Sequence, residues 1–524
     1  MHDRPLLAAS AAAVVAVASA PGALASTPAS SAGTAGVDAP AARASAMAPA
    51  PAPTSPSAAP AAARSPRLRW RGCGGGLQCA TLRVPRDWDR PRARATIGLA
   101  LIRLPATARR PIGSLLVNFG GPGASGVASL RGAGRLIRRA VRGRLHVVSW
   151  DPRGVGASAP IRCPEGNDAY FEADPFTAAG LAQMGAAVAA RARACAARHG
   201  SYLDDIGTDQ VVRDMDAIRR AVGDRRTTFL GLSYGTRVGA VYAQRYPRKV
   251  RAMVLDGALP PVSTATEIAE GLAVAFEGAL NEYFRRCARR ARCVLGPDPA
   301  ARFDALVAGL RAAPPEVPGT GGRRLTVGLF YQAALALLIN YQGSTQVAEQ
   351  VIGDYLATGD PRSLYALTQV IAGERQPDGR FLSNGPEAFQ FIDCLDWQDR
   401  PTVAQVAALA ERSKAVAPRL GPFGVTFALM NMTACPRPAK PVPPPTSARI
   451  PPLLIVGNDH DAETPLRSAQ LLSQALPDSR LLVWRGFGHT AFTTSPCVAR
   501  IAGRYLVTRR LPPVGTFCPD LPLG

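Results

Sequence analysis

An α/β fold is predicted: a mostly parallel eight-stranded sheet flanked by helices, with an inserted helical cap. Three observations predict it. Short β-rich runs alternate with helical stretches after residue 79, and several of those runs are apolar throughout. The alternation then breaks between residues 261 and 447, before strand-like sequence resumes at Leu453. A strand covered on both faces needs no polar side, so continuous apolar runs point to a sheet enclosed by helices. Helices between the runs make crossover units, and hence parallel neighbours.

The strands are expected at 80–84, 96–103, 114–119, 145–150, 227–230, 252–255, 453–456 and 480–484. Apolar side chains recur at helical spacing in 268–283, 303–310, 327–339, 345–357 and 403–416, and prolines from Pro436 to Pro445 close that stretch. The core is therefore expected in two parts, 66–260 and 448–524, with the cap at 261–447 between them.

Ahead of the core lie two segments of other character. His2 and Arg4 start a weakly basic leader, 6–20 is apolar but too short to span a bilayer comfortably, and Ala23-Leu24-Ala25 fits a cleavage site. Residues 1–25 read as an export signal, with no stable membrane insertion after cleavage. Residues 26–65 are nearly all Ala, Pro, Ser, Thr and Gly, a linker or pro-segment unable to bury a core. The ten cysteines of an exported chain point to disulfides. Proximity couples Cys73 with Cys79, Cys163 with Cys195, Cys287 with Cys293, Cys394 with Cys435, and Cys497 with Cys518. No C-x-x-C pair occurs, so a metal site is not expected; Cys195 and His199 have ligand-like spacing but no second pair accompanies them.

The net charge of +23 is mostly arginine. These arginines are scattered along the chain, aromatics make up only 6%, and no nucleic-acid motif is present. A nucleic-acid partner is not expected, and the charge reads as a bias toward Ala, Arg, Pro and Gly.

Chemistry enters at Gly231-Leu232-Ser233-Tyr234-Gly235, which follows a strand and precedes a helix-compatible run. A G-x-S-x-G turn in that context exposes its serine on a sharp bend. A serine hydroxyl is a weak nucleophile, and it needs a base, an acid to orient that base, and an oxyanion hole. Of the five histidines only His460 and His489 follow the serine, as this fold's chain order requires. His489, in Gly486-Phe487-Gly488-His489-Thr490 after the last strand, is the candidate base. The acid is expected after the 453–456 strand, where Asp459, Asp461 and Glu463 compete; Asp256, at the end of the sixth strand, is a further rival. The oxyanion donors are expected to be the N–H of Tyr234 and one from the glycine-rich 118–126 loop.

Gly-Gly-Pro-Gly at 120–123, Trp150-Asp151-Pro152-Arg153-Gly154-Val155-Gly156, the serine turn, Asp461-x-x-Thr464-Pro465 and Gly488-His489 occur in this order. Together they resemble the secreted tripeptidyl aminopeptidase group of α/β-hydrolases, relatives of the prolyl iminopeptidases, from about Cys79 to Cys518. The resemblance implies the α/β-hydrolase fold and selects Asp461 as the acid, with Thr464 bracing it. It implies Asp151 and Arg153 as structural supports, and oxyanion donors at Gly121 and Tyr234 with Gly120 close behind. It also implies a serine exopeptidase without metal or cofactor, secreted or cell-wall associated, monomeric, acting on peptides with a free N-terminus. Two departures stand out: Phe119 replaces the Pro or His frequent in relatives, and His460 and Ala462-Glu463 replace the usual Asp-Pro-Val/Ala.

A free N-terminus carries an ammonium group, whose natural partner is a cap carboxylate. In Phe391-Ile392-Asp393-Cys394-Leu395-Asp396-Trp397 the nominees are Asp396 first and Asp393 second. A carboxylesterase or lipase with the same triad is the rival enzyme, and a non-catalytic cell-surface binding protein on a hydrolase scaffold is the rival of another class.

Overall fold

The computed structural model describes residues 68–163, 168–261, 264–339, 344–372, 383–442, 450–476 and 478–520. The expected signal at 1–25, the linker at 26–65 and the closing cap boundary at 447 lie outside the described residues.

The strands are β1 (Arg71–Gly72), β2 (Gln78–Pro85), β3 (Thr96–Leu104), β4 (Ser114–Asn118), β5 (His146–Trp150), β6 (Thr227–Leu232), β7 (Val250–Asp256), β8 (Leu454–His460), β9 (Arg480–Phe487) and β10 (Phe517–Cys518). They form one sheet in the order β1-β2-β3-β5-β4-β6-β7-β8-β9-β10. The pairs from β5 to β10 are parallel, while β1, β2 and β3 join the sheet antiparallel. All eight expected strands are present. The sheet has ten strands rather than eight because two-residue strands close its edges, each next to a disulfide: Cys73–Cys79 beside β1 and Cys497–Cys518 within β10. Two residues carry no periodicity to read. The other three expected couples, Cys163–Cys195, Cys287–Cys293 and Cys394–Cys435, are also disulfides.

The apolar strands bury both faces. Leu115, Val117, Val147, Leu230 and Val254 pack with Leu130 and Ile137 of the Gly126–Ala140 helix and Val498 and Leu506 of the Pro496–Thr508 helix. The alternate residues Leu116, Val148, Phe229 and Met253 pack on the other face with Val212 and Met215 of the Thr208–Ala221 helix and Val238 of the Tyr234–Arg245 helix. Side chains that alternate in direction yet are apolar in both explain why the runs lack alternation.

Between β7 and β8 the chain forms helices Ala265–Ala288, Pro299–Ala312, Val327–Ile339, Ser344–Thr358 and Val403–Ser413, as the periodicity predicts. Three more, Arg362–Ala372, Gly385–Asp396 and Gly421–Leu429, fall outside the stretches read from periodicity. The last is buried on nearly every side, and a Cβ on its Gly424 would lie 2.9 Å from the Ala273 backbone. A helix enclosed all round gives no periodic signal. The Ala178–His199 helix, from between β5 and β6, joins this layer: Leu181, Met184 and Val188 pack with Ala269, Leu409 and Leu429.

Candidate active site

The parallel strands deliver their loops to one end of the sheet. Ser233 stands where β6 turns into its helix, at φ 55° and ψ −127°, a left-handed conformation costly for a residue with a Cβ. The bend is held by backbone: the Ser233 N–H donates to the Asp256 carbonyl at 2.9 Å. Its flanking glycines are there for space. A Cβ on Gly231 would lie 2.3 Å from the Gly235 carbonyl oxygen, and one on Gly235 would lie 2.6 Å from the Asn118 carbonyl oxygen.

His489 follows β9, between Gly488 at φ 121° and Thr490 at φ 60°. Its Nδ1 lies 2.8 Å from Asp461 Oδ1. Asp461 is buried and its carboxylate is saturated. Oδ1 accepts the N–H groups of Glu463 and Thr464 at 3.0 and 2.8 Å. Oδ2 accepts Thr464 Oγ1 at 2.9 Å, and Asn458 Nδ2 and the Thr490 N–H at 3.2 Å. So many donors fix the position of the Asp461 carboxylate and of the ring opposite it.

The other candidate acids are placed differently. Asp459 is exposed and lines a separate surface groove with Arg480. Asp256 is buried, and accepts the N–H groups of Ala491 at 3.0 Å and Phe492 at 2.7 Å, anchoring the segment just after His489. Burial pushes its carboxyl up to about 6. Glu463 comes within 3.0 Å of His489 Nε2, although off the line of a hydrogen bond. Burial would lower the pKa of the imidazole, but the charges of Asp461 and Glu463 outweigh it and raise it to about 9. His460, the last residue of β8, lies 3.9 Å from Glu282.

Gly120 and Gly121 have φ of 90° and 99°, a conformation that favours glycine. A Cβ on Gly120 would meet the Leu232 carbonyl oxygen at 2.5 Å, so this loop lies directly on the serine turn. The Gly120 N–H already donates to Asn118 Oδ1 at 3.0 Å, which removes it from the expected oxyanion donors. Gly121 and Tyr234 line the same cavity as Ser233. Asp151 clamps the loop from below, accepting Ser125 Oγ at 2.6 Å, the Val127 N–H at 3.0 Å and the Ala157 N–H at 2.9 Å. Arg153 is buried further down, bidentate on Asp214 at 2.7 Å to each oxygen and donating to the Asp205 carbonyl at 2.8 Å.

This geometry meets a family pattern. A family model described as the alpha/beta hydrolase fold matches residues 113–496, a span holding Ser233, Asp461 and His489. The chain belongs to the alpha/beta hydrolase fold family. Among curated relatives, serine protease Hip1 of Mycobacterium tuberculosis is 34% identical over 462 residues, covering 85% of this chain and 88% of that one. Carboxylesterase B of the same organism is 34% identical over 483 residues, covering 87% and 90%. Tripeptidyl aminopeptidase of Streptomyces lividans is 30% identical over 488 residues, covering 86% of each.

In this alpha/beta hydrolase the cavity measures about 370 Å³. Its floor is Gly121, Ser233, Tyr234, Glu463 and His489, and its roof is Ile268, Leu272, Ile339, Phe389, Asp393, Trp397 and Phe427. Roof and floor touch directly, because the His489 N–H donates to the Ile339 carbonyl at 2.7 Å. A second chamber of about 300 Å³ shares Gly121, Pro122, Ile339, Phe389, Phe427 and Glu463 with the first. It reaches back to Arg191, whose Nε donates to Gln390 at 2.6 Å and whose Nη2 donates to Asn431 at 2.8 Å.

The two nominated cap carboxylates separate here, in the reverse of their expected order. Asp396 does not line the cavity. It is buried beneath it, accepting the Thr208 N–H at 3.1 Å and Thr208 Oγ1 at 2.5 Å, with Arg237 Nε at 3.3 Å. Asp393, one helical turn earlier, does face the cavity. Burial, reinforced by the Asp396 charge, pushes its carboxyl up to about 8. Sequence reasoning missed Arg237, which lines the cavity with its guanidinium 4.2 Å over the Trp397 ring. It also missed Asn458, which joins the acid loop to the Gly488 carbonyl at 3.2 Å. Neither lies in a motif that would single it out.

Proposed function

We propose that this chain is an exported serine peptidase that releases short peptides from free N-termini. The observation that carries this reading is Asp393, a buried carboxylate in the roof of a cavity whose floor holds Ser233 and His489. An ammonium group entering this space restores the charge of Asp393 and binds it, since a nearby cation favours the ionised carboxyl. The adjoining chamber gives a few extended residues somewhere to lie. The five disulfides fit an oxidising compartment.

In the proposed mechanism Ser233 Oγ attacks the scissile carbonyl carbon while His489 Nε2 takes its proton. Asp461 holds the other ring nitrogen and stabilises the imidazolium. The oxyanion meets the N–H groups of Tyr234 and Gly121. Collapse breaks the C–N bond, and the leaving amine takes the proton from His489. Water, deprotonated by the same ring, then hydrolyses the acyl ester. Tyr234 suits the oxyanion role because the first N–H groups of a helix have no partner within it.

A carboxylesterase is the second reading, supported by the likeness to carboxylesterase B. One comparison separates the two: Ala-Ala-Pro-anilide with a free amine, the same compound N-acetylated, and short nitrophenyl esters. The peptidase reading requires the free amine to win. Preference for the blocked peptide, or turnover of esters alone, overturns it. Failure of a fluorophosphonate probe to label Ser233 would point instead to a non-catalytic binding protein.

A further inference from the structure

The arginines that look scattered in the sequence are gathered by the sheet. Strands β5, β4, β6 and β7 lie side by side and parallel, so all begin on one edge. Their starts are aligned: Ser114 pairs with His146, Leu115 with Thr228, and Thr227 with Val250. Basic residues stand ahead of each start. Arg225-Arg226 precede β6, and Arg248-Lys249 precede β7. Arg142 and Arg144 precede β5. The turn before β4 carries Arg109-Arg110 and is tied to the same corner, because the Thr107 and Ala108 N–H groups donate to the Gly143 carbonyl and the Ile112 N–H donates to that of Arg144. Arg251 of β7 holds the end of the Pro496–Thr508 helix through the Leu506 and Val507 carbonyls at 2.6 and 2.8 Å, which brings Arg509-Arg510 to this edge. All these basic side chains ahead of the strands and after the helix are exposed, and among the described residues none pairs with a carboxylate. The carboxylates nearby are Asp224, which accepts the Ser114 N–H at 2.8 Å, and the exposed Asp478 ahead of β9.

We propose that this edge is a docking face for a linear phosphate polymer. At about 4.8 Å between strands, the four starts make a row roughly 14 Å long. The row is almost all arginine, whose planar fork matches phosphate oxygens two at a time. A bilayer is the poorer fit: among the described residues the exposed large apolar side chains are Val274, Val347, Val416, Val514 and Phe517, none of them in these turns, so the described face lacks anchors to insert. Ser233 is at the opposite end of β6, six residues and roughly 20 Å away, so a docked enzyme keeps its cavity facing outward.

The test uses the full chain on immobilised long-chain inorganic polyphosphate, titrated with sodium chloride. One variant removes charge from the face: Arg225→Gln, Arg226→Gln, Arg248→Gln and Lys249→Gln together. A control removes the same charge from the cap: Arg289→Gln, Arg292→Gln, Arg302→Gln and Arg412→Gln. Wild type is expected to bind with a linear fall of log affinity against log salt. The face variant is expected to bind at least tenfold more weakly, with a slope shallower by about three, while the control follows wild type and all three hydrolyse a nitrophenyl ester alike. Should circular dichroism show the face variant unfolded, Arg509→Gln with Arg510→Gln takes its place, with a smaller loss of slope expected. Equal weakening by face variant and control would reduce the effect to net charge and overturn the proposal. So would no binding of wild type to polyphosphate, or binding only to phosphatidylglycerol vesicles.

Discussion

The core end of the cavity and its cap roof hold their carboxylates in opposite ways. Asp461, on the core loop, accepts hydrogen bonds from two neighbouring backbone N–H groups, a hydroxyl, an amide side chain and the Thr490 N–H, in addition to His489. Asp393, on the cap, is pushed up to about 8 by burial and by the charge of Asp396, which the Arg237 charge only partly offsets. A saturated carboxylate is a fixed part of a machine. An under-compensated one is stabilised by whatever cation arrives. The proposed division is therefore chemistry on the core and selection on the cap.

The largest effect expected from breaking the core side is loss of turnover. Ser233→Ala is predicted to lower kcat by about 10⁴-fold or more, with His489→Ala adding little on top, because residues acting as one unit are not additive. Steady-state kinetics on the free-amine anilide, with fluorophosphonate labelling, checks this; independent, multiplying losses would contradict a shared mechanism. On the cap side, Asp393→Asn is predicted to cut kcat/KM for free-amine peptides by roughly ten- to a hundredfold, the scale of a lost charge-assisted contact. It should leave N-acetylated peptides and esters nearly unchanged. A uniform loss across all three substrates would assign Asp393 to the scaffold.

Asp396→Asn sharpens the same contrast from beneath the cavity. With Thr208, Tyr234 and Arg237 around it, its loss should cost about 1–3 kcal/mol of stability in denaturant unfolding while preserving the preference for a free amine. The smallest effect concerns Glu463. The raised pKa of His489, about 9 against an ordinary 6.5, keeps the ring protonated at neutral pH, so activity in the free enzyme should climb as pH rises toward 9. Glu463→Gln removes one of the three charges favouring the cation, those of Asp461, Glu463 and Asp256, so the rising limb of kcat/KM should move to lower pH. The same linkage stabilises the fold: the contribution of the charged ring is complete below the unfolded pKa of His489 and is lost as pH passes about 9. An unchanged pH profile in the variant would separate Glu463 from the base.

The core was legible because its signals are local. Apolar runs at 114–119 and 227–230 give strands wherever they are covered, and Gly-x-Ser-x-Gly gives a turn of one shape. The cap was half legible. Val327–Ile339 showed itself by sheer apolarity, whereas Gly421–Leu429, enclosed on almost every side and rich in glycine, showed no stripe. Asp393 and Asp396 stand three residues apart on one helix with similar neighbours, and nothing local ranks them.

The sequence by itself determined the order of strands and helices, the five disulfide couples and a short set of candidate groups, because hydrophobic pattern, turn chemistry and proximity in the chain act over a few residues. Tertiary structure alone decided which carboxylate meets which nitrogen of His489, which cap aspartate faces the cavity, and that arginines more than a hundred residues apart share one edge. Those outcomes depend on register and packing between distant segments, which no local window contains.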